Sequence, residues 1–425
     1  MYLLTYTKRN MKIKTIHARQ ILDSRGIPTI STEVELWSGD KGCGEVPSGA
    51  STGTNEVLEL RDADGNVSQA IENVNTTIAE AIKEKDFTSQ REFDDFLNQL
   101  DGTEQKSKLG GNTILSCSMA FCRATANALG LQLYEYFGMI YWDKEYSTDK
   151  FEMPRPLILV LEGGKHGDWS TDIQEYMIAP KMDQFDSFTD AFHAGADIFH
   201  KIKDILLSKG YSTGVGFEGA YAPKEIQSNK EAFDIIVEGI KVAGYEGKFE
   251  IAIDAASSEF YKDGKYNLHR ENKKLASEEW MNLQEEWYSQ YPIFSIEDPF
   301  DQEDWGIWSK FTQNNGAKYQ IVGDDLLTTN VKRIQKGIDE KAMNAVLIKL
   351  NQIGTVSQTL DAIRLTDENE MKAIISHRGG ETNDDMIADL VVGTPATQCK
   401  FGGPDRGERL AKYNRLLEIE EILKR

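Results

Sequence analysis

Two hydrophobic rhythms run along this chain, and the change from one to the other organises it. Early on, Thr32, Val34 and Leu36 alternate with more polar neighbours before a Ser38-Gly39-Asp40 turn, which predicts a strand. Two or three strands followed by helices account for roughly the first 150 residues. Helical spacing appears over 66–97, where Ile71, Ile78 and Ile82 recur, and a second helix is predicted over 113–129, rich in Ala, Cys, Leu and Ser. The Asp101-Gly102 and Gly110-Gly111 pairs read as turns. Positions 139–156 are largely polar and end in Met-Pro-Arg-Pro, so the chain divides there into a smaller α+β domain over 11–145 and a second domain over 146–425.

In the second domain short apolar runs alternate with amphipathic helices. The runs are LILVL at 157–161, IAIDA at 251–255, IFSIEDP at 293–299, YQIVGDD at 319–325, NAVLIKL at 344–350 and MKAIIS at 371–376; helices are predicted over 231–243 and 356–366. Such βα repetition implies a mostly parallel sheet, and its number of repeats favours a closed α/β barrel.

The charged residues share one phase of this pattern. Asp254, Glu297, Asp298, Asp324, Asp325 and His377 follow the apolar runs, and Lys349 lies inside VLIKL. In a βα barrel those strand ends meet on one face, where active sites lie. Taken singly, each carboxylate is an ordinary helix cap or salt-bridge partner. Together, Asp254, Glu297 and Asp324 form an all-oxygen set suited to Mg²⁺. Because successive strand residues face opposite ways, at most one of each adjacent acidic pair is expected inside. Burial of Lys349 favours its neutral amine, making it a candidate base next to a carboxylate-binding metal; a snorkelling structural lysine is the plain alternative.

Other candidates sit beside glycines. Lys400 in TPATQCKFGGP reads as a second cation for a carboxylate, or else as a surface lysine. His377 and Arg378 in SHRGGET suit an anion such as phosphate. The loop VPSGASTG at 46–53 offers Ser48 or Ser51, and otherwise is simply a loop. Glu175 and Glu218 compete as the acid that protonates a leaving hydroxyl, a role for a carboxyl kept protonated by its neighbours. His166 in EGGKHGDW is a ligand, a proton carrier or a loop tie. His17, His193, His200 and His269 lack such settings and read as structural or surface residues.

Charge and composition narrow the field. A formal charge of -21 disfavours nucleic acid but leaves room for a small anion held by a metal or a few buried cations. Cys43, Cys117, Cys122 and Cys399 are too dispersed for a disulfide framework or a zinc site, which fits a reducing cytoplasmic setting. No apolar run is long enough to span a membrane. MYLLTYTKRN reads as a short extension, with Met11 an alternative start.

At these residues the chain closely resembles enolase, the magnesium-dependent phosphopyruvate hydratase of glycolysis. The resemblance runs through ARQILDSRG at 18–26, VPSGASTG, LDGT, KLGGNTILS, IQEYMI, SSEFY, SIEDPF, VGDDL, LIKLNQIGT, SHRGGET, IADL and AKYNRLLEIE, nearly the whole chain after Met11. It implies an N-terminal α+β domain, a modified (β/α)8 barrel opening ββαα, and dimers or higher homo-oligomers. It implies that Asp254, Glu297 and Asp324 bind the tighter magnesium and that Ser48 supports a second one shared with substrate phosphate. Lys349 matches the base for the C2 proton, and Glu218 the residue that helps the C3 hydroxyl leave, supported by Glu175 and His166. Lys400 matches a contact to the substrate carboxylate, His377 a pocket residue and Arg378 a phosphate contact. The reaction implied is reversible dehydration of 2-phosphoglycerate to phosphoenolpyruvate.

Four positions depart from the family pattern. Phe217 replaces an acidic neighbour of Glu218, Gly379 a serine, Glu162 an asparagine, and Phe401 a threonine. They are expected to remove polar groups around the substrate and add bulk. A divergent lyase for another carboxylate substrate is the alternative they raise, and a non-catalytic binding protein on the same fold is a further one.

Overall fold

The computed structural model describes residues 11–49, 53–83 and 85–425; the extension at 1–10 and Ser51 lie outside them. Three antiparallel strands open the chain: β1 (Ile13–Leu22), β2 (Pro28–Leu36) and β3 (Lys41–Glu45). The helix Gly111–Leu129 lies against this sheet so closely that a Cβ on Gly42 would stand 2.2 Å from the Ala120 carbonyl oxygen, and one on Gly44 2.5 Å from that of Ser116. The strand β3 therefore needs glycine at both positions facing the helix. The periodicity over 66–97 resolves into Ser68–Glu72, a π-helical stretch Asn73–Ile78, Ala79–Ile82 and a separate helix Gln90–Asp101, which ends at left-handed Gly102.

The rest is a closed barrel of β4 (Arg155–Glu162), β5 (Glu175–Pro180), β6 (Phe249–Asp254), β10 (Ile293–Glu297), β11 (Gln320–Gly323), β12 (Ala345–Ile348), β13 (Lys372–Ser376) and β14 (Gln398–Lys400), in that order around the wall. A small antiparallel sheet of β7 (Tyr261–Lys262), β8 (Lys265–Leu268) and β9 (Lys273–Leu275) stands outside it. The strand β5 runs antiparallel to β4 and β6, whereas the other neighbours are parallel. No helix separates β4 from β5, so the chain returns directly, and a direct return gives an antiparallel pair. Two helices, Phe188–Ser208 and Asn229–Val242, then follow in succession before β6. Every residue of β5 is buried, which leaves no alternation to read in the sequence.

The N-terminal domain is fastened over the barrel mouth. Arg123, on Gly111–Leu129, donates to both carboxylate oxygens of Asp384 at 2.5 and 2.8 Å and to Asp385 at 2.8 Å. The Ser118 hydroxyl accepts from Val356 N–H, and buried Asp94 accepts from Ser357 N–H at 2.8 Å. Among the described residues no single helix is long and apolar enough to cross a membrane.

Burial pushes the Asp384 carboxyl up, but Arg123 overrides this and holds it below the usual range. The pair therefore stabilises the fold at neutral pH, and its contribution disappears as pH falls through the carboxylate range. Arg123→Met should lower stability near neutrality by about 3 kcal/mol, because Asp384 stays buried without its cation. Urea midpoints measured at neutral and acid pH check this: the gap between wild type and variant should narrow in acid.

Candidate functional site

The strand register puts a row of acids abreast on four adjacent strands of the eight-stranded barrel. Glu162 at the end of β4 pairs with Glu175 at the start of β5, Glu175 with Asp254 at the end of β6, and Asp254 with Glu297 at the end of β10. Paired residues of neighbouring strands project to the same side, so four carboxyl groups meet at one level. All four are buried.

Lys400, the last residue of β14, supplies the positive charge. Its Nζ lies 2.8 Å from both Glu297 oxygens, 3.1 Å from Asp254 Oδ2 and 3.0 Å from Glu175 Oε2. Burial opposes its charge, yet Asp254, Glu175 and Glu297 hold its proton far more tightly than usual. One lysine does not neutralise the row. Burial, then the charge of Asp254, pushes Glu297 well above the carboxylate range, and burial with the charge of Glu218 pushes Glu162 to about 8 and Glu175 to about 7.

A second acidic group lies beside the row. Asp324 follows β11; its Oδ2 is 2.5 Å from Lys349 Nζ, and its Oδ1 accepts from Gln352 at 2.9 Å. Lys349 stands one residue beyond β12, as the N-cap of the short helix Leu350–Ile353. Burial alone would favour its neutral amine, as expected from the sequence, but the adjacent Asp324 wins and raises its proton affinity. Asp298 and Asp325 also line the cleft, and Asp324 and Asp325 do so together, contrary to the expectation of one inward residue per pair. Both lie past their strands, where alternation no longer applies. Asp298 adopts φ +40°, and its two oxygens accept the N–H groups of Asp324 and Asp325, each at 2.9 Å.

At a third side, Glu218 stands between two histidines. His166 Nδ1 is 3.4 Å from Glu218 and 3.6 Å from Glu175, and His377 Nε2 is 3.3 Å from Glu218 Oε2. Neither His166 Nδ1, His377 Nε2 nor Glu218 Oε2 completes a hydrogen bond within the protein. Burial works against a charge on His166, but Glu218 and Glu175 hold it protonated with a pKa of about 10. Burial instead drives His377 down to about 3. Burial would raise Glu218, but the flanking histidines hold it well below the carboxylate range. Of the two glutamates that the sequence offers as the acid, Glu175 is the one pushed up, to about 7, while Glu218 is held down.

The remaining candidates divide. Arg378 lines the cleft and pairs with Glu56 at 2.9 and 3.1 Å and Asn351 at 2.7 Å. Ser48 is not brought to the carboxylates; its backbone pairs with Gly380 and its hydroxyl donates to Glu59 at 2.9 Å. Of the four departures, Gly379 lines the cleft. Phe401 is fully buried and packs on Tyr413, with ring centroids 5.9 Å apart, while Phe217 is 40 % exposed. Neither lines the cleft, so the expected added bulk is absent there. Glu162 instead holds the Glu218 loop, its Oε1 accepting from Glu218 N–H at 3.0 Å and Ala220 N–H at 2.8 Å.

Several site residues escaped the sequence reading. Gln174 and Gln352 are neutral amides with no charge to mark them, Glu56 sits in an acidic stretch, and Arg409 lies among other charged residues of the C-terminal helix. Among the described residues, two groups of three ligand atoms fall within 4.8 Å of one another: His166, Glu175 and Glu218, and Asp298, Asp324 and Asp325. The second group, with Asp254 and Glu297 beside it, is all oxygen and matches a hard cation; the first, with an imidazole, suits magnesium less well.

The model of the enolase C-terminal TIM barrel domain matches residues 150–425, and that of the enolase N-terminal domain matches residues 13–137. The carboxylates around His166 give a direct expectation. In wild type its ring should remain doubly protonated from about pH 6 to 8, and in Glu218→Gln its pKa should fall, because the largest influence raising it is gone and burial remains. Imidazole NMR titration reads both; a wild-type ring titrating near the ordinary histidine value contradicts this electrostatic picture.

Proposed function

This chain belongs to the enolase family, and on that premise we propose that it is a magnesium-dependent lyase that reversibly dehydrates 2-phosphoglycerate to phosphoenolpyruvate. The observation that carries the reading is the joint lining of one cleft by Lys349, Arg378, Lys400, Glu218 and His166 beside a surplus of carboxylates. That surplus also supports the metal. Glu297 stays displaced upward even with Lys400 touching both its oxygens, so the site has more negative charge than its lysines neutralise. Asp254, Glu297 and Asp324 would hold the ion, in competition with the lysines now paired to them. When bound, magnesium supplies positive charge against the substrate carboxylate as the neighbouring carbon loses its proton. Ser48 would have to release Glu59 to assist a second ion.

The chain's own groups account for the proton transfers. Lys349 Nζ must first give up its contact with Asp324 and release its own proton to solvent; the neutral amine then takes the C2 proton, the electron pair left on C2 becomes the C2–C3 double bond, and the C3–O bond breaks. The departing hydroxyl becomes water with a proton from the Glu218, His166 and Glu175 group, in which His166 and Glu175 store protons and ionised Glu218 lies between histidines. Lys400 engages the substrate carboxylate, Arg378 the phosphate through its guanidinium fork, and His377 lines the pocket. Phe401 and Phe217, which favoured a different substrate, lie off the cleft, and this supports the ordinary one.

Purified protein should form phosphoenolpyruvate from 2-phosphoglycerate only with Mg²⁺. Lys349→Ala and Glu218→Gln should each lower kcat by roughly 10²- to 10⁴-fold, the scale of general acid–base catalysis. Absence of turnover in folded, magnesium-loaded wild type would exclude this function. Binding is separable from activity: Mg²⁺ at about 100 times its Kd should stabilise the protein by about 2.7 kcal/mol. Thermal unfolding reads this, and Asp324→Asn should diminish the shift.

A further inference from the structure

Arg409 is the third residue of the helix Gly407–Leu423 and is completely buried. Its Nη1 lies 2.6 Å from His377 Nδ1 and donates to Arg378 O at 2.6 Å; its Nη2 donates to Gly379 O at 2.8 Å and Phe217 O at 3.1 Å. The nearest acid, Glu408, is 3.5 Å from Nε. With Glu408 approaching only Nε, both Nη atoms of this buried guanidinium are committed to the backbone of two loops and to one ring nitrogen.

The ring contact fixes a chemical state. Guanidinium has donors and no acceptor and stays protonated, so the nitrogen 2.6 Å away must offer a lone pair. His377 therefore carries its proton on Nε2, the nitrogen 3.3 Å from Glu218 Oε2 that completes no hydrogen bond within the protein. The charged groups facing this ring are Glu218, Arg409 and Lys400.

We propose that Arg409 is a positioning residue which, by donating to His377 Nδ1, locks that ring in the neutral Nε2–H tautomer and presents an N–H donor to the cleft beside Glu218. The same guanidinium ties the Glu218 loop, through Phe217 O, to the Arg378 loop, through Arg378 O and Gly379 O. It thus couples the leaving-hydroxyl end of the cleft to its phosphate end, a consequence that rests on the function proposed above. The tautomer itself does not depend on that function.

The test is ¹H–¹⁵N correlation of histidine-labelled full-length protein, without substrate, with the His377 signals assigned by their loss in His377→Gln. Near neutral pH, wild type should show an unprotonated Nδ1 and a protonated Nε2. Arg409→Lys, which keeps a charged donor, should retain this pattern; Arg409→Met should mix the tautomers or protonate the ring. Kinetically, Arg409→Met should lower kcat about 10- to 100-fold, the scale seen when a group orienting a working histidine is removed, with a smaller change in KM and partial recovery in Arg409→Lys. A wild-type ring protonated on Nδ1, or an unchanged tautomer in folded Arg409→Met, overturns the proposal. If Arg409→Met does not fold, the wild-type spectrum decides alone. The predicted tautomer in a protein that does not turn over 2-phosphoglycerate would support the Arg409 assignment and remove only the proposed reaction.

Discussion

Four acids set abreast by strand register, with too little positive charge among them, form the constraint on which the rest of the site depends. Glu162, Glu175, Asp254 and Glu297 occupy paired positions on four adjacent strands, so the barrel wall itself forces their carboxyl groups together. Hydrogen bonds of the sheet fix this level, and a side chain cannot leave it without loss of register. The repulsion must then be met by protonation, by buried lysine or by a bound cation. Lys400 meets part of it, and raised carboxyl proton affinities meet another part.

Around that acidic row the protein holds two separate titratable groups. Lys349 is joined to Asp324, while Glu218 lies with His166 and His377, each group on its own loops. The antiparallel β5 matters here. Because it runs backwards, its N-terminal residue, Glu175, reaches the same mouth as the C-terminal residues of the parallel strands and can face both Lys400 and His166. The N-terminal domain closes this face through Arg123 and Asp384, and Glu56 from the same domain neutralises Arg378.

The sequence disclosed the barrel because short apolar runs alternated repeatedly with amphipathic helices, and Asp254, Glu297, Asp324, Lys349 and His377 marked one face of it by their shared phase at the ends of those runs. Glu175, Glu218, His166 and Lys400 were only open candidates from local sequence, and motif resemblance supplied their expected roles; the local patterns are weak, since β5 is buried on every residue and β14 spans only three. Protonation was less legible than position. Glu175 and Glu218 read alike as the acid, yet two histidines hold Glu218 down while burial pushes Glu175 up, and Lys349 reads as easily neutralised until Asp324 lies 2.5 Å away. Arg409 carried no local signal, since its partners are backbone carbonyls distant along the chain. Likewise, nothing in the local pattern of Phe401 told whether its ring faced substrate or core; packing on Tyr413 answers it.

The most direct test of separate proton-transfer groups follows hydrogen exchange at C2 of 2-phosphoglycerate in D₂O alongside phosphoenolpyruvate formation. The account predicts that Glu218→Gln still exchanges the C2 hydrogen while forming little product, and that Lys349→Ala does neither. C2 exchange at the wild-type rate in Lys349→Ala would contradict the assignment of that lysine and, with it, the division of labour across the cleft.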